Sequence, residues 1–458
     1  MTEVASVTRE VAASLRGRIT HGELRPGERL PSERALALRL GVSRVTVVRA
    51  LTRLRTEGLV VTRHGSGTFV AATERLQDMI GAHASPVPLM GGGDDLIDLR
   101  WATTAGPVDV IAAVTVAAAS ALPAALSGDG TAGALADELT GLLAAELTRD
   151  GLPTRPDQLT LTSGAMAGLG LVLDAVPTAG RLAIAETPTY PAALRLLAQR
   201  GRRTRGWPAG PAAWDAGYLG RLMRTSSPGV LYLQPDGHNP TGAVMPPATR
   251  DAVAAAAAAS GWVVVADETM RPLTLTARRP ASLAARHDGV IVVASMSKTV
   301  WGGLHLGWVR APAAMTRRLR AAGAALGAGP SALDQITAAQ LLPGLEVIIE
   351  RRRRLLAENL GHLEQCLRGL GTGDLRWHRP AGGITLWADL RGRSSYEVVQ
   401  QCARRGVLLE PASTYAVGGR DDRHLRIPFT MPPAVLDRIA EALGQALDSV
   451  MLPVPGLR

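Results

Sequence analysis

Four short apolar runs constrain this chain more than any other feature: Leu182-Ala183-Ile184, Val230-Leu231-Tyr232-Leu233, Trp262-Val263-Val264-Val265 and Val290-Ile291-Val292-Val293. Helical stretches lie between them. A strand with water on one face alternates apolar and polar residues, whereas a strand covered on both faces has no such need. The runs therefore predict the central strands of a parallel sheet with helices on both sides. From about residue 345 the pattern changes to a long arginine-rich helix, strands near 383–390 and further helices, which reads as a smaller α+β domain. A chain of 458 residues exceeds a single core and leaves room for roughly two to four domains.

The first seventy residues follow a different pattern. Val7, Val11, Leu15 and Ile19 recur every four residues and predict one amphipathic helix. Ser32 is placed to cap a second helix that ends near Leu40-Gly41. Ser43 would cap a third, whose buried side carries Val47, Leu51 and Leu54, with Gly58 as its stop. Val60-Val61-Thr62-Arg63 and Thr68-Phe69-Val70 predict two strands joined at His64-Gly65-Ser66-Gly67. Three helices and a ribbon make a winged helix-turn-helix. Residues 1–72 hold twelve arginines and six glutamates, with no lysine or aspartate, so they supply six of the ten net positive charges. Such a basic end is a nucleic-acid footprint; a merely solvated charged surface is the alternative. Thr46, Arg49 and Arg53 are expected opposite the buried side of the third helix, with Arg44 in its first turn, where arginine can reach base edges. His64 and Gly65 at the ribbon tip would reach the minor groove. Ser32 and Arg34 would hold phosphates.

Pro86, Pro88, Gly91-Gly92-Gly93 and Asp94-Asp95 mark a flexible linker. The expected organisation is a winged helix-turn-helix over 1–73, a linker over 74–97, a large domain over 98–344 and a small one over 345–458. Hydrophobic residues at 46% and charged residues at 20% fit a globular chain. Cys366 and Cys402 are too few for a disulfide framework or a cysteine-rich zinc site, and no metal ligands are assigned. The start lacks a basic-then-apolar leader, and the longest uncharged run, 110–128, is mostly alanine and is interrupted by Pro123. A cytoplasmic protein without a membrane span is expected.

Lysine and arginine total 50, yet only Lys298 is lysine. A primary amine can form an imine with an aldehyde, which a guanidinium cannot do. Lys298 follows an apolar run in Ser295-Met296-Ser297-Lys298-Thr299; an ordinary surface lysine is the alternative reading. Thr162-Ser163-Gly164-Ala165-Met166 opens a helix after a strand-like stretch, so its N–H groups can take phosphate oxygens. Asp267 ends another strand, where a carboxylate can hold a proton on a ring nitrogen. Asn239, in Gly237-His238-Asn239-Pro240-Thr241-Gly242, can donate to a phenolic oxygen.

Two resemblances follow from these motifs. Leu30-Pro31-Ser32-Glu33-Arg34, Leu40-Gly41-Val42-Ser43-Arg44, Glu57-Gly58-Leu59-Val60 and Gly65-Ser66-Gly67-Thr68-Phe69-Val70 resemble the GntR family of winged-helix regulators. Residues 98–450 resemble the type I aminotransferases, which use pyridoxal 5′-phosphate (PLP). That resemblance implies an α/β large domain and a smaller α+β C-terminal domain. Lys298 would carry the cofactor, Asp267 would face its ring nitrogen and Asn239 its 3′-oxygen. Tyr190, in Pro188-Thr189-Tyr190-Pro191, would stack on the ring, while Gly164, Ala165 and Ser295 would hold the phosphate. Arg426, in Leu425-Arg426-Ile427-Pro428-Phe429, would bind the carboxylate of an amino-acid effector. The fused order resembles the MocR-type subfamily of regulators. It implies a homodimer that binds double-stranded DNA and senses PLP, a small amine or amino acid, or both.

The departures from that pattern are specific. His305 stands where the family has a phosphate-binding arginine, Met270 where a tyrosine is usual, and Ser127 where another tyrosine is expected. Each lost charged hydrogen bond is worth about 1.5–3 kcal/mol. They imply either a weakly held cofactor, which suits a sensor of cofactor level, or a different ligand, and they argue against sustained turnover. A working aminotransferase with an appended DNA-binding head is the alternative function, and a cofactor-free dimerisation platform is a third.

Overall fold

A computed structural model describes residues 2–20, 24, 28–56, 59–63, 67–70, 96–126, 133–176, 182–211, 213–326, 329–370 and 375–450. The chain divides into two compact units, Met1–Asp94 and Asp95–Arg458.

The first unit contains three helices, α1 (Thr2–Thr20), α2 (Glu33–Leu40) and α3 (Arg44–Thr56). Two antiparallel strands follow, β1 (Val60–Arg63) and β2 (Gly67–Val70). Capping is as the sequence implies. The Ser32 hydroxyl accepts from the Ala35 N–H, and Gly41 takes the left-handed conformation that closes α2. Ser43 Oγ accepts from the Thr46 N–H at 3.1 Å. Val11, Leu15, Val47, Leu51, Leu54, Val60 and Val70 share one core. The expected ribbon tip, His64-Gly65-Ser66, the Gly58 stop and residues 74–95 of the expected 74–97 linker lie outside the described residues, while Ile97 at its end belongs to a strand.

In the second unit the strands are β3 (Ile97–Asp98), β4 (Leu159–Thr162), β5 (Leu182–Thr187), β6 (Arg203–Pro208), β7 (Val230–Leu233), β8 (Val263–Asp267), β9 (Ile291–Ser295), β10 (Gly307–Arg310), β11 (Arg376–Trp377), β12 (Thr385–Asp389), β13 (Val407–Leu408) and β14 (His424–Pro428). The main sheet runs β4-β10-β9-β8-β7-β5-β6. The four apolar runs are its central parallel strands, β5, β7, β8 and β9. Their residues alternate between two cores. Val265, Val230 and Val293 pack on one face with Leu169 and Leu197, and Val264, Leu231 and Val292 on the other with Leu222 and Val253. Covering both faces is what removed the polar alternation. Only β10 departs from a parallel sheet, running antiparallel to both its neighbours.

The C-terminal region pairs β11-β12-β14 with the helices Leu345–Gly369, Ser395–Ala403 and Pro433–Ser449 around one core. Two expectations need correction here. Residue 98 does not open the large domain: β3 pairs in parallel with β13, and Ile97, Leu99 and Ala102 pack in the C-terminal core. Pro123 does not interrupt its helix, which runs Val108–Leu126. It lies one turn from the C-terminal end, so the Ala119 carbonyl loses its intrahelical donor while the helix continues only three residues further. Among the described residues one helical stretch, Ala332–Gly369, is long and apolar enough to cross a membrane by length and composition. Its buried positions, including Leu345, Ile349, Leu356 and Leu363, fill the protein cores.

Candidate functional site

Parallel strands of an open α/β sheet end at a common edge, where following loops converge. Five strands deliver the predicted residues to that edge. Asp267 is the last residue of β8 and Ser295 the last of β9, with Lys298 three residues further on. Asn239 follows β7, Tyr190 follows β5, and Gly164 follows β4.

Lys298 is partly buried, and its Nζ donates to the Ala102 carbonyl at 2.6 Å. Burial, reinforced by the Arg426 charge and opposed by Asp267, lowers the ammonium to about 8. Asp267 is buried and accepts from the Tyr232 hydroxyl at 3.0 Å and the Thr269 N–H at 3.1 Å. Burial raises its carboxyl above the usual range despite those hydrogen bonds. Burial raises the Tyr190 phenol, with the charges of Asp267 and Glu410 adding to the shift and that of Arg426 opposing it. Asn239 is buried with its Oδ1 unpartnered, and its N–H donates to Gln234 Oε1 at 3.2 Å.

The strand end ahead of the Ala165–Ala175 helix is built from backbone. Gly164 precedes the Ala165–Ala175 helix with φ +131°, a conformation suited to glycine, and the space a Cβ would occupy there is open. Gly307, the first residue of β10, pairs with Thr162 on one side and Ser295 on the other. A Cβ at 307 would sit 2.6 Å from the Gly164 carbonyl carbon, so the two backbones must touch. His305 is exposed, two residues ahead of Gly307. Met270 is buried in the C-terminal core and offers no phenol. Ser127 lies outside the described residues.

Arg426 is buried on β14, and its Nη2 donates to Leu99 O at 2.9 Å and Arg100 O at 2.6 Å. Its Nε is buried without a partner. Glu410 Oε2 lies 3.8 Å from Arg426 Nη2 and accepts from the Tyr415 hydroxyl at 2.6 Å. The guanidinium stands 5.1 Å over the Tyr415 ring. Sequence reasoning missed Tyr232, Gln234, Glu410, Tyr415 and the carbonyls of residues 99–102. Rarity was a usable signal for part of this set, since three of the chain's five tyrosines, Tyr190, Tyr232 and Tyr415, gather here.

A low-pKa amine, a buried carboxylate at a strand end, a buried side-chain amide whose NH2 can donate, and a glycine-built helix N-terminus fit PLP, which has an aldehyde, a pyridine nitrogen, a phenolic oxygen and a phosphate.

On the first unit, Arg34, Arg44 and Arg49 are exposed, as is Ser32. Arg44 pairs with Glu33, Nη2 to Oε2 at 3.0 Å. Thr46 corrects the expectation: it is 4% exposed and its hydroxyl is bonded to Ser43 Oγ at 2.8 Å. It precedes buried Ala50 by one helical turn, which puts it on the core side. Val45 and Val48 take the exposed face instead.

Comparison with known proteins matches residues 7–70 to the bacterial regulatory proteins of the gntR family and residues 104–443 to aminotransferase class I and II. The HTH-type transcriptional regulator YisV of Bacillus subtilis is 26% identical over 449 residues, covering 92% of both chains. The HTH-type pyridoxine biosynthesis transcriptional regulator PdxR of Corynebacterium glutamicum is 26% identical, covering 98% of this chain and 97% of its own. In fold, residues spanning 78% of the chain superpose on 93% of LysN, an α-aminoadipate aminotransferase from Thermus thermophilus complexed with N-(5′-phosphopyridoxyl)-L-leucine, with a TM-score of 0.69 at 24% identity. The chain thus belongs to the PLP-dependent aminotransferase class I and II family, and it carries a gntR-family regulatory head ahead of that body.

Proposed function

We infer that this protein is a DNA-binding transcriptional regulator whose aminotransferase-like body binds PLP and responds to a small amine or amino acid. The observation that carries this reading is the partial burial of Lys298, the one lysine of the chain, beside Asp267 and Arg426 in a body fused to a helix-turn-helix. When bound, PLP supplies an aldehyde carbon for which Lys298 and an effector amine compete, and a ring that withdraws electrons. Burial keeps a share of Lys298 Nζ neutral and nucleophilic near neutral pH. Asp267 would hold a proton on the ring nitrogen, and Asn239 would donate to the 3′-oxygen. Tyr190 would stack on the ring, while the backbone N–H groups at Gly164–Ala165 and the Ser295 hydroxyl would take the phosphate. Arg426 faces an effector carboxylate, with Glu410 as a competing internal anion. His305 contributes to the phosphate only by turning inward from its exposed position.

Residues 99–102 give this site a route outward. The carbonyls of Leu99 and Arg100 hold Arg426 and that of Ala102 holds Lys298, and the segment lies just after the proposed linker. An effector that engages both side chains withdraws donors from that segment. It can shift the regulator only by the difference in its affinity for the two states. A homodimer with two half-sites on DNA completes the reading.

Borohydride reduction of PLP-supplemented protein, followed by peptide mass analysis, tests the assignment. The peptide containing Lys298 should carry the cofactor, and Lys298→Ala should lose both the label and any effector-dependent change in affinity for DNA selected from a random pool. An unmodified peptide overturns the cofactor assignment. Sustained keto-acid production from amino acids would replace the regulator by an enzyme.

A further inference from the structure

The helices Leu345–Gly369 and Pro433–Ser449 pack side by side through Leu356, Leu360, Leu363, Leu436, Ile439 and Leu443. On their solvent side three groups of different chemistry meet. His362 Nε2 lies 2.7 Å from Asp437 Oδ1, and Cys366 Sγ lies 3.3 Å from that same oxygen. The three ligand atoms all lie within 4.8 Å of one another. His362 and Cys366 are one helical turn apart on one helix and Asp437 comes from the other, so no short sequence motif announces the cluster.

We propose that His362, Cys366 and Asp437 form a binding site for a borderline-soft divalent ion of the zinc class, with a water in the fourth position. A tetrahedral zinc ion with bonds of about 2.0–2.3 Å holds its ligand atoms roughly 3.3–3.7 Å apart. The sulfur–oxygen separation already meets that distance, and the nitrogen–oxygen pair has to open by less than about 1 Å. Binding is balanced by loss of the thiol proton to solvent, while the imidazole proton moves from Nε2 to Nδ1 so that Nε2 can ligate. A thiolate disfavours magnesium and calcium, and an imidazole with a carboxylate suits zinc. The arrangement does not suit a nucleophilic cysteine. In a thiol–imidazole–carboxylate relay the imidazole stands in the middle, whereas here the carboxylate does. His362 and Asp437 side chains are 33% and 58% exposed, so an ion can enter and a fourth ligand has room. Both supporting backbones are pinned by the core beneath. An ion here would clamp the two helices that carry the C-terminal core.

The test uses the full-length protein, metal-stripped under reducing conditions and titrated with cobalt(II), then with zinc. One equivalent of cobalt per chain is expected, with a near-ultraviolet thiolate-to-cobalt band that zinc abolishes. Cys402 is fully buried, so that band reports on Cys366. Cys366→Ser should remove the band. His362→Gln and Asp437→Asn should each weaken zinc at least about tenfold, with circular dichroism unchanged. Zinc should also raise the unfolding temperature of the parent protein and not that of Cys366→Ser. Absence of a thiolate band in folded protein overturns the site, leaving a hydrogen-bonded trio only. Equal affinity in Cys366→Ser overturns it too, placing the ion elsewhere.

Discussion

An ammonium buried as Lys298 is loses hydration and feels the Arg426 charge, and both effects favour the neutral amine. Its value of about 8 means that aldehyde capture should rise as pH increases through about 8 and level off above it. For an ordinary lysine the rise would continue to about 10.4. Replacing Arg426 by Met removes a charge that lowers this value, so the midpoint should move upward; Asp267→Asn removes one that raises it, so the midpoint should move downward. Rates of cofactor capture against pH, followed by the visible band of the lysine-bound cofactor, check both signs. A midpoint unmoved by either change would separate Lys298 from those charges. Glu410 makes a second residue-scale prediction. Its carboxylate lies 3.8 Å from Arg426, where it repels an incoming carboxylate and offsets the guanidinium. Glu410→Gln should tighten binding of an amino acid relative to its decarboxylated amine; an unchanged ratio would mean Glu410 swings clear. Lys298 stood out in the sequence because arginine had displaced every other lysine. Glu410 and Tyr232 gave no such sign: one sits between an apolar run and a proline, the other inside an apolar strand. Only folding brings them to Arg426 and Asp267.

Elements were more legible than the contacts between them. Capping serines, a C-cap glycine and apolar periodicity located α2 and α3, because these are local devices whose physics acts within a few residues. The face of α3 was read less well. Thr46 was expected at the DNA, yet a residue four before Ala50 shares its side of the helix, and Ser43 takes its hydroxyl. Arg49→Ala should therefore cost about 1–3 kcal/mol of specific binding if the arginine reads a base, measured by anisotropy on selected and random DNA. Equal loss on both would confine it to phosphate. Thr46→Val should leave that affinity alone and lower stability by about 0.5–1.5 kcal/mol through the lost hydrogen bond. The antiparallel β10 was not legible, since strand direction is decided by which neighbours it meets. Its first residue has a definite role. In Gly307→Ala the new methyl meets the Gly164 backbone at 2.6 Å, so the phosphate end must shift. PLP retention should fall while DNA affinity stays unchanged; retained PLP would show that the phosphate lies elsewhere.

At the scale of the whole molecule, the Val108–Leu126 helix is out of balance with its surroundings. It carries one charged residue, Asp109, among nineteen, yet Val108, Val116 and Leu126 are 80%, 72% and 71% exposed. A helix apolar on all sides is normally buried, and large exposed apolar patches mark association sites. Within the proposed homodimer this helix is the surface expected to meet the second copy, where burial would remove apolar area from water at about 25 cal/mol per Å². Two heads held in one particle then present two recognition helices to half-sites a fixed spacing apart, and affinity for the pair exceeds that for one through effective concentration. This leads to a joint prediction. Val116→Asp places a charge in the covered surface, where its desolvation is costly, and should halve the mass seen by sedimentation. The same variant should bind a paired operator no more tightly than an isolated half-site, because each head now binds alone, while the isolated half-site is bound as well as by the parent. A variant that stays dimeric would move the interface off this helix. A monomeric variant that keeps the advantage for paired sites would show that the body is not what brings the two heads together.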